Sequence, residues 1–148
     1  MQHFELEWKD GMEFEGKTPS NHKIVVDASE VEGGKNFGPR PMELFIVGLM
    51  GCTAMDVVSI LNKMRKKIES FRIEVEAEKA TEHPKVWTNI NIKYILKGEN
   101  LDDKSVQTAI ELSQTKYCSA AATLRRSGAN VNYSYIIEKE WNILEQME

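Results

Sequence analysis

The stretch that decides the fold runs from Pro41 to Lys66 and reads PMELFIVGLMGCTAMDVVSILNKMRK. In its first half Leu44, Phe45, Ile46, Val47, Leu49 and Met50 set apolar side chains on nearly every face of a helix, so that half must be enclosed from several sides. Gly48 and Gly51 would each cost such a helix about 1 kcal/mol relative to alanine, and they are read as points of close approach by another backbone. The second half is one-sided. Val57, Val58, Ile60, Leu61 and Met64 form its apolar face, while Asp56, Ser59 and Lys63 fall on a polar stripe at helical spacing. The basic run Lys63–Lys67 suits the negative end of a helix dipole.

Ahead of this helix, Phe4, Leu6 and Trp8 alternate with polar neighbours, as do Met12 and Phe14, and the Asp10-Gly11 step between them signals a hairpin. Ile24-Val25-Val26 makes a third strand, and Glu30 to Pro39, with Gly33-Gly34 and Gly38-Pro39, reads as loop. Beyond the helix, Phe71, Ile73, Val75 and Ala77 alternate, His83-Pro84 interrupts, and Val86 to Leu96 alternates again. Asp102 can cap a helix from Asp103 to about Thr115 that buries Val106, Ala109 and Ile110. Cys118 to Leu124 begins a second short helix with Gly128 beyond its end, and Val131, Tyr133, Tyr135 and Ile137 supply a closing strand. Trp141 to Glu148 is read as a short helix or a tail. The order is βββ-α-ββ-αα-β, an antiparallel α+β arrangement in one domain. Three strands cannot cover the long helix alone, so sheets from two subunits are expected to enclose two such helices.

The bulk composition narrows the function. A chain of 148 residues, 41% hydrophobic, can bury one core without disulfide staples. A formal charge of −4 with no dense basic patch argues against a nucleic-acid surface. The start, Met1-Gln-His-Phe-Glu-Leu-Glu-Trp, has no secretory pattern, and Glu43 and Asp56 interrupt the richest apolar run before it reaches membrane-spanning length. The expectation is a cytoplasmic protein with no membrane partner, in which two cysteines are free thiols or a cycling pair.

A cysteine attacks a peroxide bond only as thiolate, and the sulfenic acid it becomes is most safely returned through a disulfide with a second cysteine. Cys52, within the long helix, and Cys118, where a new helix begins, are the candidates. Free cysteine also packs commonly as a small buried hydrophobe, and that reading stays open for both. At a helix start, Cys118 would feel the positive end of the dipole, which lowers a thiol pKa. Glu43 sits where its carboxylate can bond back to the N–H of an Arg40 cap, with Pro41 as first helical residue. Nine residues from Cys52, it falls on the opposite side of a straight helix. Arg40, stiffened between two prolines, offers a guanidinium that could serve a thiolate or an anion. His3, His22 and His83 are dispersed and the cysteines far apart, so no zinc spacing is visible, nor any phosphate-binding glycine fingerprint.

Gly38-Pro39-Arg40-Pro41-Met42-Glu43-Leu44-Phe45, then Gly51-Cys52-Thr53-Ala54-Met55-Asp56-Val57-Val58-Ser59-Ile60-Leu61, resemble the central helix of the OsmC and Ohr family, in its YhfA-type branch. His83-Pro84-Lys85, Glu111-Leu112-Ser113 and Lys116-Tyr117-Cys118-Ser119 match the same branch, so the resemblance spans nearly the whole chain. It implies an intertwined homodimer whose sheets embrace two central helices, with sites at the subunit interface. It also implies a hydroperoxide reductase in which Cys52 attacks and Cys118 resolves, with electrons from a dithiol and no bound organic cofactor or metal. Peroxidase branches carry a glutamate directly after the proline, where this chain has Met42 with Glu43 one step later. They also carry an arginine from the N-terminal strands, a part for which Arg40 is the candidate here. The alternative is a non-catalytic member that binds a small apolar molecule or senses oxidation.

Overall fold

A computed structural model describes residues 1–139; the stretch from Trp141 to Glu148 lies outside the described residues. The chain falls into two compact units, Met1–Val47 and Gly48 onward. The element order is the one read from the sequence: β1 (Glu5–Asp10), β2 (Glu13–Lys17), β3 (Lys23–Val26), α1 (Pro41–Lys63), β4 (Ser70–Lys79), β5 (Trp87–Lys97), α2 (Asp103–Leu112), α3 (Ser119–Arg126) and β6 (Asn130–Glu138).

In the first unit β1, β2 and β3 form an antiparallel meander. Gly11 turns the first hairpin at φ +55°, a conformation that favours glycine, and the Trp8 indole donates to its carbonyl at 2.9 Å. The loop from Asp27 to Arg40 is organised by one carboxylate. Asp27, 3% exposed, accepts from the backbone N–H groups of Ala28 (2.7 Å), Lys35 (3.2 Å) and Phe37 (3.2 Å). Burial works to raise its pKa, but those donors, joined by the Arg40 charge, hold it below the ordinary carboxylate value. Gly34 lets the loop close, since a Cβ there would collide with the Ala28 carbonyl. The capping-box expectation at the head of α1 is met: the Arg40 N–H donates to Glu43 Oε1 at 2.8 Å, and the Glu43 N–H to the Arg40 carbonyl at 3.0 Å.

The second unit holds most of the buried side chains. On β5, Ile90, Ile92, Tyr94 and Leu96 are at most 1% exposed. Leu49, Thr53, Val57 and Leu61 of α1 are likewise buried, a stripe repeating every four residues, as are Val106, Ala109 and Ile110 of α2 and Ala121 and Leu124 of α3. Asp102 caps α2 as expected, accepting from the Ser105 N–H at 3.1 Å. α1 stops at Lys63, short of the expected Lys66. Arg65 turns left-handed at φ +60°, with bonds from Lys66 N–H to Leu61 O and from Arg65 N–H to Asn62 O closing the helix end.

One topological expectation fails. β4 and β5 pair antiparallel, but β6 pairs parallel to β5, with Ile92 opposite Tyr133 and Leu96 opposite Ile137. The α2–α3 connection is long enough to carry the chain back to the start of β5, which a hairpin could not do. The class remains α+β, with one antiparallel and one mixed sheet.

α1 differs from its reading in two further respects. With Asp56 the one acid between Glu43 and Lys63, it is by length and composition apolar enough to cross a membrane, although its buried stripe packs it into the second unit. Within one chain, moreover, its apolar surface is incompletely covered. Phe45, Val47 and Met55 are 56, 60 and 76% exposed, and a Cβ at Gly48 or Gly51 would meet no atom within 4 Å. No close approach is made to those glycines inside the chain.

Candidate functional site: two thiols and a carboxylate

Cys52 and Asp56 project from α1 at positions i and i+4, so helical geometry alone puts both on one face. Cys118 arrives from an irregular link. α2 ends at Leu112, the backbone widens into one π-turn over Ser113–Tyr117, and Cys118 then caps α3. Single π-turns of this kind re-aim side chains and are frequent at functional sites. The turn ties Cys118 to Ser113, whose carbonyl accepts the Cys118 N–H at 2.7 Å. Ala121 N–H points at Cys118 Sγ from 3.4 Å. The outcome is that Cys52 Sγ, Cys118 Sγ and a carboxylate oxygen of Asp56 lie within 4.8 Å of one another. Both cysteines are free thiols.

The two sulfurs sit in unequal environments. Cys118 is 2% exposed, whereas Cys52 is half-buried. Burial pushes the Cys118 thiol up to about 11 from 9.0; the Ala121 N–H opposes this, and Cys52 and Asp56 alongside add to it. The sequence expectation of a lowered pKa from the helix start is therefore overturned. An eight-residue helix contributes one useful N–H here, and desolvation outweighs it.

Around these atoms runs a buried polar chain that the sequence did not disclose. Ser113 Oγ donates to Asp56 Oδ2 at 2.8 Å and lies 2.8 Å from Thr53 Oγ1, which lies 2.6 Å from the Tyr94 hydroxyl. Gln114 Nε2 donates to that hydroxyl at 2.7 Å and to Thr53 Oγ1 at 3.3 Å. Arg125 closes the far end, giving Nη1–H to the Gln114 carbonyl (2.7 Å) and Nη2–H to Gln114 Oε1 (2.8 Å) and to the Val131 carbonyl (3.2 Å). Burial raises the Tyr94 phenol above its ordinary pKa, while its hydrogen bonds with Thr53 and Gln114 work to lower it. Every buried side-chain nitrogen and oxygen among the described residues has a partner. Asp56, read as part of a polar stripe, is half-buried and bonded to Ser113. The one hint available was its spacing of four from Cys52. Ser113, Gln114 and Tyr94 gave no signal, because only the fold brings them together.

The other candidate residues belong to the first unit. The Arg40 guanidinium donates to the Gly38 carbonyl (2.9 Å) and Asn36 Oδ1 (2.8 Å), and Glu43 is occupied in the capping box. Cys52, Asp56 and Cys118 together are also the donor set among the described residues that could hold a soft divalent metal, in contrast to the expectation from spacing. His3, His22 and His83 take no part in it.

A family model described as "OsmC-like protein" matches residues 33–134. Protein YhfA of Escherichia coli (strain K12) is 37% identical over 130 residues, covering 88% of this chain and 93% of that protein. The crystal structure of a hypothetical protein from Aquifex aeolicus VF5 superposes with a TM-score of 0.82 at 30% identity, covering 95% of this chain and 98% of that one. An organic hydroperoxide resistance protein OsmC from Legionella pneumophila shares the fold at a TM-score of 0.63 and 14% identity, covering 94% and 97%. With the family pattern matched over both cysteine blocks and a relative of this identity along most of its length, the chain belongs to the OsmC-like protein family.

Proposed function

We propose that this protein is a thiol peroxidase that reduces organic hydroperoxides, with Cys52 as attacking and Cys118 as resolving cysteine. The observation that carries the reading is the pairing of two free thiols within 4.8 Å, one half-buried and one buried and pushed up to about 11. Such asymmetry assigns roles. The thiol that stays protonated is the poorer first nucleophile. Cys52 thiolate attacks the distal peroxide oxygen, the O–O bond breaks, and the alkoxide leaves as alcohol after taking a proton. Cys118 then attacks the Cys52 sulfenic acid, releasing water and forming the disulfide. An external dithiol returns both sulfurs to thiols, two electrons having passed from it to the peroxide. The hydroperoxide resistance described for the Legionella relative supports this choice of substrate class.

Arg40 is the candidate for the part that an N-terminal-strand arginine plays in the peroxidase branches, and Glu43 fixes the Arg40 backbone. The exposed apolar face of α1, with room beside Gly48 and Gly51, supports a homodimer in which a second copy covers that helix. A reducing cytoplasm is the compartment that suits a cycling thiol pair.

The test is turnover. With tert-butyl hydroperoxide and a dithiol such as dihydrolipoamide, the wild type consumes peroxide well above the rate of dithiol alone, and Cys52→Ser falls to that background. Wild-type consumption no faster than the dithiol blank would overturn the assignment, and would favour instead a binding or redox-sensing member of the family.

A further inference from the structure

The hydroxyl chain beside the thiols has a direction, and it ends on Asp56. An ionised carboxylate only accepts, so Ser113 donates to Asp56 Oδ2 and its oxygen must accept from Thr53. Thr53, having spent its one proton, accepts from Tyr94. At the far end Arg125 takes Gln114 Oε1, which turns the Gln114 amide N–H toward the Tyr94 oxygen. Each hydroxyl thus has its donor and acceptor fixed, and all of them point toward Asp56. Ser113 does double duty, since its carbonyl holds the Cys118 backbone N–H while its hydroxyl holds Asp56. The carboxylate and the buried sulfur are thereby set in one frame.

A carboxylate has about four lone-pair sites. Within 4.8 Å of a carboxylate oxygen of Asp56 lie two sulfurs, one of which must shed its proton before it can attack. We propose that Asp56 is the proton acceptor that lets Cys118 attack Cys52 in disulfide formation, aimed by the one-way chain Tyr94–Thr53–Ser113. In the resolving step the Cys118 proton moves to Asp56 as the new S–S bond forms and the Cys52–oxygen bond breaks. Asp56 returns that proton to the departing hydroxide, which leaves as water, and the carboxylate is restored. The same transfer serves any leaving group on Cys52, including an aryl thiolate. The inference rests on the pairing of the two cysteines but does not need peroxide to be the oxidant.

That independence supplies the test. Reduced full-length protein treated with one equivalent of the aromatic disulfide DTNB first releases one aryl thiolate as Cys52 forms a mixed disulfide. It releases a second as Cys118 displaces the other. Asp56→Asn is expected to leave the first phase within about threefold of wild type and to slow the second about 100-fold, the lower end of the range for a lost general base. Asp56→Glu should recover much of the loss, and Ser113→Ala should lie between. A second phase at the wild-type rate in folded Asp56→Asn overturns the proposal. The wild-type pH profile provides a check that no variant can spoil. The titratable side chains around the sulfurs are Asp56 and, behind it, Tyr94, with Tyr133 also acting on Tyr94. If Asp56 takes the proton, the rate of the second phase does not follow the ionisation of the free Cys118 thiol. A rate that climbs tenfold per pH unit up to about 11 would mean that Cys118 ionises unaided, and would overturn it. Should peroxide turnover fail while the two-phase release behaves as expected, the peroxidase reading falls and the role of Asp56 stands.

Discussion

Two aspartates withdrawn from bulk water, Asp27 in the first unit and Asp56 in the second, show how differently a carboxylate can be used. Asp27 is held by three backbone N–H groups and kept below the ordinary carboxylate pKa, so it has little spare capacity and little tendency to take a proton. It closes a loop. Asp56 carries one strong donor, the Ser113 hydroxyl, and its remaining acceptor positions lie beside two thiols. A carboxylate mostly occupied by fixed backbone donors is structural, whereas one left largely open beside ionisable sulfur is placed for proton transfer.

The largest expected effect divides the two by chemistry. Asp27→Asn should leave both phases of aryl thiolate release unchanged, while Asp56→Asn slows the second by the factor given above. If Asp27→Asn slowed it equally, the contrast would be void. Next in size is Thr53→Val, which removes a fully buried hydroxyl from the chain and strands its neighbours. Urea unfolding should show a loss of about 1–3 kcal/mol, the cost of leaving buried partners unsatisfied. The reverse pattern holds at Asp27: its asparagine variant should melt earlier by a few degrees, on the order of one lost charged hydrogen bond in a chain of this size.

Stability against pH sharpens the contrast from both ends. The folded pKa of Asp27 lies below its unfolded 3.8, so the native state binds fewer protons than the unfolded chain as acid is added. Its contribution is present above 3.8 and is lost as pH falls through the folded value. Cys118 behaves oppositely. Its folded pKa of about 11 exceeds the unfolded 9.0, so its contribution is complete below 9.0 and is lost as pH rises toward 11. Thermal melts across pH should therefore show an acid limb weakened in Asp27→Asn and an alkaline limb weakened in Cys118→Ala. Tyr94, raised by burial, adds to the alkaline limb. The smallest effect belongs to Arg65, left-handed at φ +60°, where glycine should stabilise by up to about 1 kcal/mol in the same melts.

The two halves of the site were unequally legible in the sequence. Cys52 and Asp56 share a helix, so their juxtaposition follows from a spacing of four, yet Asp56 groups with Ser59 and Lys63 on a polar stripe because those three recur at helical spacing. Cys118 was recognisable by type, but its raised pKa depends on how deeply the π-turn seats it, and no periodicity announces a π-turn. The parallel pairing of β6 was missed for a related reason: strand pattern reveals alternation, not direction. What read cleanly was whatever local chemistry determines, such as the Arg40–Glu43 capping box, the Gly11 hairpin and the Asp102 cap.

The most direct measurement is the intact mass and peptide map of reduced wild-type protein after one equivalent of organic hydroperoxide. The expected product is lighter by two hydrogens, with Cys52 and Cys118 joined in one cross-linked peptide. Two thiols still free, or Cys52 left as sulfenic acid with the Cys118 thiol untouched, would contradict it.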